Sequence, residues 1–592
     1  MYRQQSFVLS LAIVLISLSA FKSFGQGWKW GVAPQFYPAV PEHGGFYPGQ
    51  NTVDLSGNVY ISGSTFNLYS SMFGPSSLIS GSYTDVQTII AKADSSGVFK
   101  WAISTQGHFS LPVGIATNTS GCLYLLGMYS DDTICVIGTD TLTSATAMVS
   151  SVYYLVKINP NGAVLWAKNI AAGAMSGGFS TNGPNGGIGI DATGNVYVTG
   201  MFNTTSILMS SDTLYNTNSA GGSTDIFIAK FDSAGNQIWA NSYGGSDNDY
   251  SYSLGVTASG SVYVAGLYFS GTFNFGTTTL TNSLPGTDNN FFIAKFDRYG
   301  SPKWAKSAVG GTTHNEVGKL TTDTYGNVYM PGAFTQSTLT MGGITLTNGG
   351  AENAFFTKYV SSGNVKWLTS AKGVYSKGYG MAVDKCGNVW ACGQMGSNLN
   401  FNGNSLTTPA VRYDPMFIVE YDTVGNYTNS MAMENGGGGI SNITVDNRGR
   451  FFVSGDFVSD TIPTLFVIGP DTLRIDSQYQ NLFVATYRYG DSIGCKIDTN
   501  TSVKYLFAPK DDDVLLYPNP ADNVCFINSD VFSQNARVEI FDLQGRLIHT
   551  FRLPESHNII DLAGFIPGMY QLKVYKDGVT VSYKKLVILK TQ

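Results

Sequence analysis

The chain has 592 residues, of which 69 are glycine, 13% are aromatic and only 12% are charged. So much glycine and so little charge exclude a coiled coil, a long helical bundle and a charge-rich disordered chain, and point to short strands joined by tight turns. A formal net charge of -6 supplies no basic field for a phosphate backbone, so nucleic acid is excluded as a partner.

The chain opens with Arg3, an apolar run from Phe7 to Leu18 and a polar stretch ending Ser23-Phe24-Gly25, the pattern of a cleavable secretory signal. Residues 1–25 are the expected signal, which leaves Gln26 first in the mature chain. The run is too short for a hydrocarbon core of roughly 30 Å, and no later stretch reaches about 18 consecutive apolar residues, so no transmembrane segment is expected after processing. No cysteine stands near the cleavage site to take a lipid. The six cysteines, Cys122, Cys135, Cys386, Cys392, Cys495 and Cys525, are too few and too scattered for a disulfide framework. Cys386 falls in a predicted hairpin turn, where a bridge to Cys392 is geometrically poor, and the pairings stay open.

Residues 26–490 are a repeat. A motif of glycine, any residue, apolar, aromatic, two residues and glycine recurs seven times: GNVYISG from Gly57, GCLYLLG from Gly121, GNVYVTG from Gly194, GSVYVAG from Gly260, GNVYMPG from Gly326, GNVWACG from Gly387 and GRFFVSG from Gly449. A second landmark joins an apolar strand to Asp-x-x-Gly and often Trp, as in FIAKFDSAGNQIW from Phe227. A third, looser one lies between them, as in FNFGTTTL from Phe273. The Asp-x-x-Gly segments are hairpin elbows, with Asp accepting turn amides and Gly in the left-handed region. Each unit then holds at least four strands.

Such units close most naturally into a seven-bladed β-propeller, which leaves no long sheet edge open. The chain ends fit this, because WKWGV from Trp28 is a spare Trp-type strand before the first unit while the last unit lacks one. Residues 27 to 32 are therefore expected beside residues 483 to 488. Pro331, within a strand copy, and Asn429, in place of a Trp, predict local irregularity in units five and six. The units resemble the bacterial propeller repeats called SBBP repeats, as in WANSYGGSDNDYSYSLGVTASGSVYVAGLYFSG from Trp239. That resemblance implies a secreted or surface protein and leaves the ligand open.

After a polar linker at residues 491–513, residues 514–592 read as six or seven short strands, a small Ig-like β-sandwich. The fold class is thus all-β. The segment closely resembles the type A C-terminal sorting domain of the type IX secretion system of Bacteroidetes. The matching positions are Tyr517, Pro518, Asn519 and Pro520 at its start, Asp542, Gly545 and Arg546 in the middle, Gly568, Tyr570, Leu572 and Val574 in a late strand, and Lys590 near the end. The resemblance implies handling by the type IX machinery and delivery to the medium or the outer-membrane surface.

Candidate chemistry is sparse. Five histidines, His43, His108, His314, His549 and His557, show no metal-ligand spacing, and no nucleophile elbow or phosphate-binding loop is present. No catalytic residue and no cofactor are assigned. The acidic pair Asp247 and Asp249 in GGSDNDYS is a calcium candidate, with turn capping the favoured role. The repeated lysines Lys92, Lys157, Lys230, Lys295 and Lys358 read as solvated or snorkelling between units. The aromatics Tyr60, Tyr124, Tyr197, Tyr263, Tyr329, Trp390 and Phe452 read as core. Ligand contacts are expected on loops such as 36–47 and 175–187, and Thr133, Thr141, Thr213, Thr461 and Thr472 sit in Asp-Thr-Leu or Asp-Thr-Ile triplets that resemble O-glycosylation acceptors. The expected function is a non-enzymatic secreted or surface scaffold that binds a glycan or protein. The alternative is a polysaccharide hydrolase or lyase whose acidic residues gather from distant units, a grouping no sequence pattern displays.

Overall fold

The Asp-x-x-Gly turns set the architecture. Asp232 is typical: its Oδ1 accepts the backbone N–H of Ala234 and of Asn236, at 2.9 Å each, and Gly235 takes a φ of 77°. A residue with a Cβ is strained there, so the glycine recurs. The turn folds the strand Asp225–Phe231 back on Gln237–Tyr243 in antiparallel register.

The computed structural model describes residues 27–38, 45–66, 68–79, 86–107, 109–129, 134–143, 151–173, 186–219, 222–282, 285–286, 288–308, 315–408, 415–433, 440–457, 464–468, 471–475, 481–488, 515–517, 521–528, 536–542, 546–554, 557–576 and 579–589. Every regular element among them is a strand. The signal segment, the linker, Cys495, Pro518, Asn519, Pro520, Gly545, Lys590 and most of the 36–47 and 175–187 loops lie outside these residues.

Among the described residues of 27–488 the strands pair into eleven sheets, seven of which hold the same antiparallel order of four strands. The fourth shows it, with strand order Asp249–Val256, Val262–Tyr268, Asn290–Phe296 and Pro302–Ala308. The repeated glycine motif supplies the second strand. The looser landmark forms a further hairpin, which stands as its own sheet in Thr272–Phe275 with Thr278–Thr281 and extends the preceding unit's sheet in Ile134–Ile137 with Asp140–Thr143. The first strands of successive sheets touch one another, and that of the seventh, Ile440–Val445, touches that of the first, Gly45–Val53.

The seventh sheet takes its fourth strand from the other end of the chain. Gly27–Val32 pairs with Asn481–Arg488, with Trp30 opposite Thr486. This is the register at which Trp239 faces Lys230 and Trp304 faces Lys295, so the spare Trp strand occupies the vacant position.

Pro331 acts on its neighbour rather than on its own strand. Val328–Phe334 is continuous, but the adjacent first strand is broken into Glu316–Val317 and Thr321–Thr322. Proline offers no N–H to the ladder at that register, whereas its carbonyl still accepts the N–H of Gly318 at 2.9 Å. The expectation for Asn429 is corrected: Tyr427–Met433 pairs with Asn429 opposite Glu420, and its register shift at Glu420/Tyr421 is the one found at Lys230/Phe231 and Lys295/Phe296 in Trp-bearing units. An amide fills that ladder position as well as an indole, because the backbone bonds do not depend on the side chain.

Of the cysteines, Cys122, Cys135, Cys392 and Cys525 are free, and Cys386 is disulfide-bonded.

Candidate functional site

Strands that alternate in direction sort the connections to two ends of the array. The Asp-x-x-Gly turns follow first and third strands at one end, the turn end. The longer connections follow second and fourth strands at the other, the loop end.

At the turn end the repeated residues lock neighbouring sheets together. Lys92 Nζ and Trp101 Nε1 both donate to the Pro160 carbonyl of the next unit, at 2.9 and 3.1 Å. Lys230 and Trp239 share the Arg298 carbonyl, and Lys295 and Trp304 share that of Ser361. A Cβ on Gly425 would fall 2.6 Å from the ring of Trp367 in the preceding unit, so these turns also need glycine for close approach. The aromatics of the glycine motif are buried, Tyr60, Tyr124, Tyr197, Tyr263 and Tyr329 completely. Lys92 and Lys230 hold their ammonium groups 5.0 and 4.9 Å from the Tyr60 and Tyr197 ring centres. Burial lowers the pKa of both, against the pull of Asp54 and Asp191. Lys92, Lys230 and Lys295 are buried and snorkel between sheets, while Lys157 and Lys358 keep part of their surface exposed.

The first-turn acids are equally committed. Asp191 accepts the N–H of Thr193 and Asn195 on Oδ1, and Asn195 Nδ2 and Tyr197 Oη on Oδ2. Burial alone would raise its pKa, but these donors hold it below the usual carboxylate range. The same set of hydrogen bonds recurs at Asp54 and Asp323.

The loop end has different chemistry. Lys377, on the first strand Ser376–Val383, pairs with Glu316 of the fifth sheet and lies 3.7 Å from Glu352 Oε2. Burial would lower the Lys377 pKa, but the two carboxylates outweigh it and hold it above the ordinary value. Tyr379, two residues on, donates from Oη to Gln394 Oε1 at 2.9 Å. On the fourth sheet the rings of Tyr250 and Tyr252 lie 6.4 Å apart. Burial raises the Tyr252 and Tyr379 hydroxyls, and Glu316 adds to both shifts. Two carboxylates, an ammonium and phenols from three units thus meet where the long connections emerge. The repeat register gives a faint signal for this: Glu352 stands where Thr224 and Asn289 stand in the third and fourth units, and Lys377 where Tyr250 stands.

Asp247 and Asp249 do not converge on a common point. Asp249 is fully buried, and its Oδ2 accepts Ser270 Oγ at 2.8 Å. The Asp247 N–H donates to Ser270 Oγ, while its carboxylate accepts the exposed Ser246 hydroxyl. The pair caps a turn through Ser270. Burial pushes Asp249 up to about 7 and Asp225 up to about 6. Among the described residues no group of three or more acidic, histidine or cysteine side chains is placed to hold a metal ion.

At the perimeter, an open groove of about 610 Å³ is lined by Thr141, Thr143, Lys168, Asn169, Ser211 and Gln237, among others. Its walls come from the second and third units and carry hydroxyls, amides and one ammonium. Thr141 and Thr213 are exposed; Thr133 and Thr461 lie outside the described residues.

In the C-terminal segment, the strands Leu515–Tyr517, Val524–Asn528 and His557–Asp561 form one sheet. Leu547–Arg552, Arg537–Phe541, Gly568–Lys576 and Val579–Ile588 form a second. Cys525, Ile527 and Ile560 from the first pack with Val538, Ile540, Leu572, Val574 and Leu586 from the second in one core. Asp542 Oδ1 accepts the N–H of Arg546 at 2.9 Å, and Oδ2 pairs with its Nε at 2.6 Å. Tyr570, just inside the strand opened by Gly568, donates from Oη to the Ile566 carbonyl at 2.7 Å. Tyr517 closes its strand opposite Phe526. The placed matching residues are thus fold-setting turns and core positions, with the Arg546 guanidinium largely exposed.

Residues 515–589 match the secretion system C-terminal sorting domain family, which marks a protein exported by the type IX system. Among curated proteins, the chain is 29% identical over 143 residues to the regulatory protein FlaEY of Caulobacter vibrioides, covering 24% of this chain and 15% of that one. It is 24% identical over 440 residues to an uncharacterized WD repeat-containing protein of Acanthamoeba polyphaga mimivirus, covering 63% and 31%. The chain therefore spans less than a third of the length of the curated relatives it matches. Similar solved structures include a protein of unknown function from Dyadobacter fermentans, at 8% identity, 78% and 98% coverage and a TM-score of 0.35. Another is PorZ, described as an essential surface component of the type IX secretion system of Porphyromonas gingivalis, at 12% identity, 94% and 100% coverage and a TM-score of 0.14. A third is an ulvan lyase, at 9% identity, 77% and 96% coverage and a TM-score of 0.34.

Proposed function

We propose that this is a secreted or cell-surface scaffold of Bacteroidetes in which residues 26–490 form a seven-bladed β-propeller of the SBBP type. On this reading residues 514–592 form an Ig-like sorting sandwich, and Tyr517, Pro518, Asn519, Pro520, Asp542, Gly545, Arg546, Gly568, Tyr570 and Lys590 compose the sorting signal. The cyclic contacts of the first strands and the pairing of Gly27–Val32 with Asn481–Arg488 support the ring. The scaffold binds an extracellular glycan or protein at its loop end without transforming it.

One observation carries the binding reading: the acidic pair gathered at the loop end, Glu316 and Glu352, is bridged by Lys377. A glycosidase keeps one carboxyl protonated as an acid. Held by one ammonium, neither carboxyl of this pair stands free as a separate acid, and the cluster offers acceptors and a donor to hydroxyls. The test incubates the mature chain with algal, plant and host polysaccharides and scores both retention and chain length. Retention without shortening is expected. Shortened product would replace this reading with a hydrolase or lyase, for which the convergence of Glu316 and Glu352 from separate parts of the chain is the supporting feature.

A further inference from the structure

In the first five units the same three residues stand side by side at the turn end: a tyrosine on the second strand, a lysine on the third and a tryptophan on the fourth. In the sixth unit all three change, to Trp390, Glu420 and Asn429. A phenol, an ammonium and an indole give way to an indole, a carboxylate and an amide at one place.

The change bears on the acid of the first turn. Elsewhere a cation answers that acid: Lys230 Nζ lies 4.0 Å from Asp191 Oδ2 and Lys358 Nζ 3.8 Å from Asp323 Oδ2, and the Asp54 charge acts on Lys92. The seventh unit has Thr486 at the lysine position. There Arg450 takes over, pairing with Asp446 at 2.7 Å and donating to the Ser95 carbonyl at 3.3 Å. The sixth unit keeps its acid, Asp384, but has Asn388 where the seventh has Arg450. Trp390 also brings no hydroxyl to Asp384, whereas Tyr60, Tyr197 and Tyr329 each donate one to the acid of their own unit. Asn388 Nδ2 donates to Asp384 Oδ2 at 3.0 Å, which leaves that oxygen a further lone pair. Glu420 is only 4% exposed, and its Oε2 is buried with no hydrogen-bond partner. Burial pushes its pKa up to about 7, against a hydrogen bond from Thr428 and with help from the Asp384 charge. Among the described residues no basic group acts on it.

A buried carboxylate with an unpartnered oxygen, set beside a second carboxylate, is costly unless a positive charge joins them. We infer that Glu420 and Asp384 bind a divalent cation of the calcium class, at the place the lysine ammonium takes in the other units. Charge sets the valence. Asp191 with Lys230 is neutral, whereas Asp384 with Glu420 carries two negative charges that one doubly charged ion cancels. Carboxylate oxygens suit a hard cation, and water and main-chain carbonyls ordinarily complete such a shell. The inference rests on the register of the turn end and not on the glycan-binding reading of the loop end, so either can fail alone.

The test strips the mature chain with EDTA above neutral pH and follows its melting as calcium chloride is added at constant ionic strength. The wild type should gain a few degrees, because an ion bound by the folded state alone stabilises it. Glu420→Gln and Glu420→Lys should lose that gain. Glu420→Lys restores the residue of the other units, so without calcium it should melt no lower than the stripped wild type. Wild-type crystals soaked in terbium chloride should show an anomalous peak in contact with Glu420 Oε2 and Asp384 Oδ2. A wild type indifferent to calcium, an equal gain in both variants, or terbium bound only elsewhere would overturn the site and leave Glu420 a neutral buried acid.

Discussion

The two ends of the repeat array are built from the same strands and are opposite in character. At the turn end, Asp, Tyr, Lys, Gly and Trp recur unit after unit, and each has its partners within the fold: Asp191 holds Thr193, Asn195 and Tyr197, while Lys230 and Trp239 hold the next turn. At the loop end, Glu316, Lys377 and Glu352 each depart from the residues at equivalent positions. Repetition therefore marks what closes the structure, and departure from it marks where chemistry specific to this chain gathers. Substitutions at the two ends should separate stability from recognition.

Trp101→Ala is the strongest break. It removes a buried indole, its bond to Pro160 and the surface against which Gly162 packs, and should cost about 3 to 5 kcal/mol in denaturant unfolding. Asp191→Ala leaves two turn N–H groups and the Tyr197 hydroxyl without their acceptor and should cost about 2 to 3 kcal/mol. The Asp191 pKa is depressed on folding, so its contribution is present above the unfolded carboxylate pKa and is lost as pH falls through the folded value. Titration of unfolding free energy should show this acid-side loss in the wild type and a smaller one in the variant.

Asp249 carries the opposite sign and sharpens the comparison. Its pKa, raised to about 7 by burial, means that the folded state binds its proton more tightly than the unfolded one. Stability should therefore fall as pH rises from about 4 to about 7, by at most a few kcal/mol. In Asp249→Asn that slope should flatten. An unchanged slope would mean that the group is ionised in the fold. The smallest effect is expected for Asp542→Ala, which removes a solvent-facing ion pair and a turn acceptor and should cost about 1 kcal/mol or less. As a member of the proposed sorting signal, Asp542 should matter more for export than for stability, which secretion assays on this variant measure directly.

Legibility in the sequence follows the same division. The glycine motif, the elbows and the spare strand from Trp28 were readable because turn geometry admits few residues and repeats display them seven times. Trp30 opposite Thr486 is the pairing those chain ends imply. The sorting segment was readable for a related reason, since its turn and core positions occur in a fixed order. The loop-end cluster was not readable. Glu316 and Lys377 lie on different first strands and touch only because the sheets pack side by side, and no short pattern encodes that. Pro331 misled in detail, because its missing N–H acts on the partner strand. The lysines read as solvated in one alternative because a carbonyl donated by the next unit leaves no trace in the composition of either strand.

The most direct test of the division compares three chains on one immobilised polysaccharide that retains the wild type: the wild type, Lys377→Met at the loop end and Lys157→Met at the turn end. The account predicts intact polysaccharide throughout, at least tenfold weaker retention for Lys377→Met and wild-type retention for Lys157→Met, with all three folded by melting curve. Weaker retention for Lys157→Met alone, or shortened polysaccharide with any chain, would contradict it.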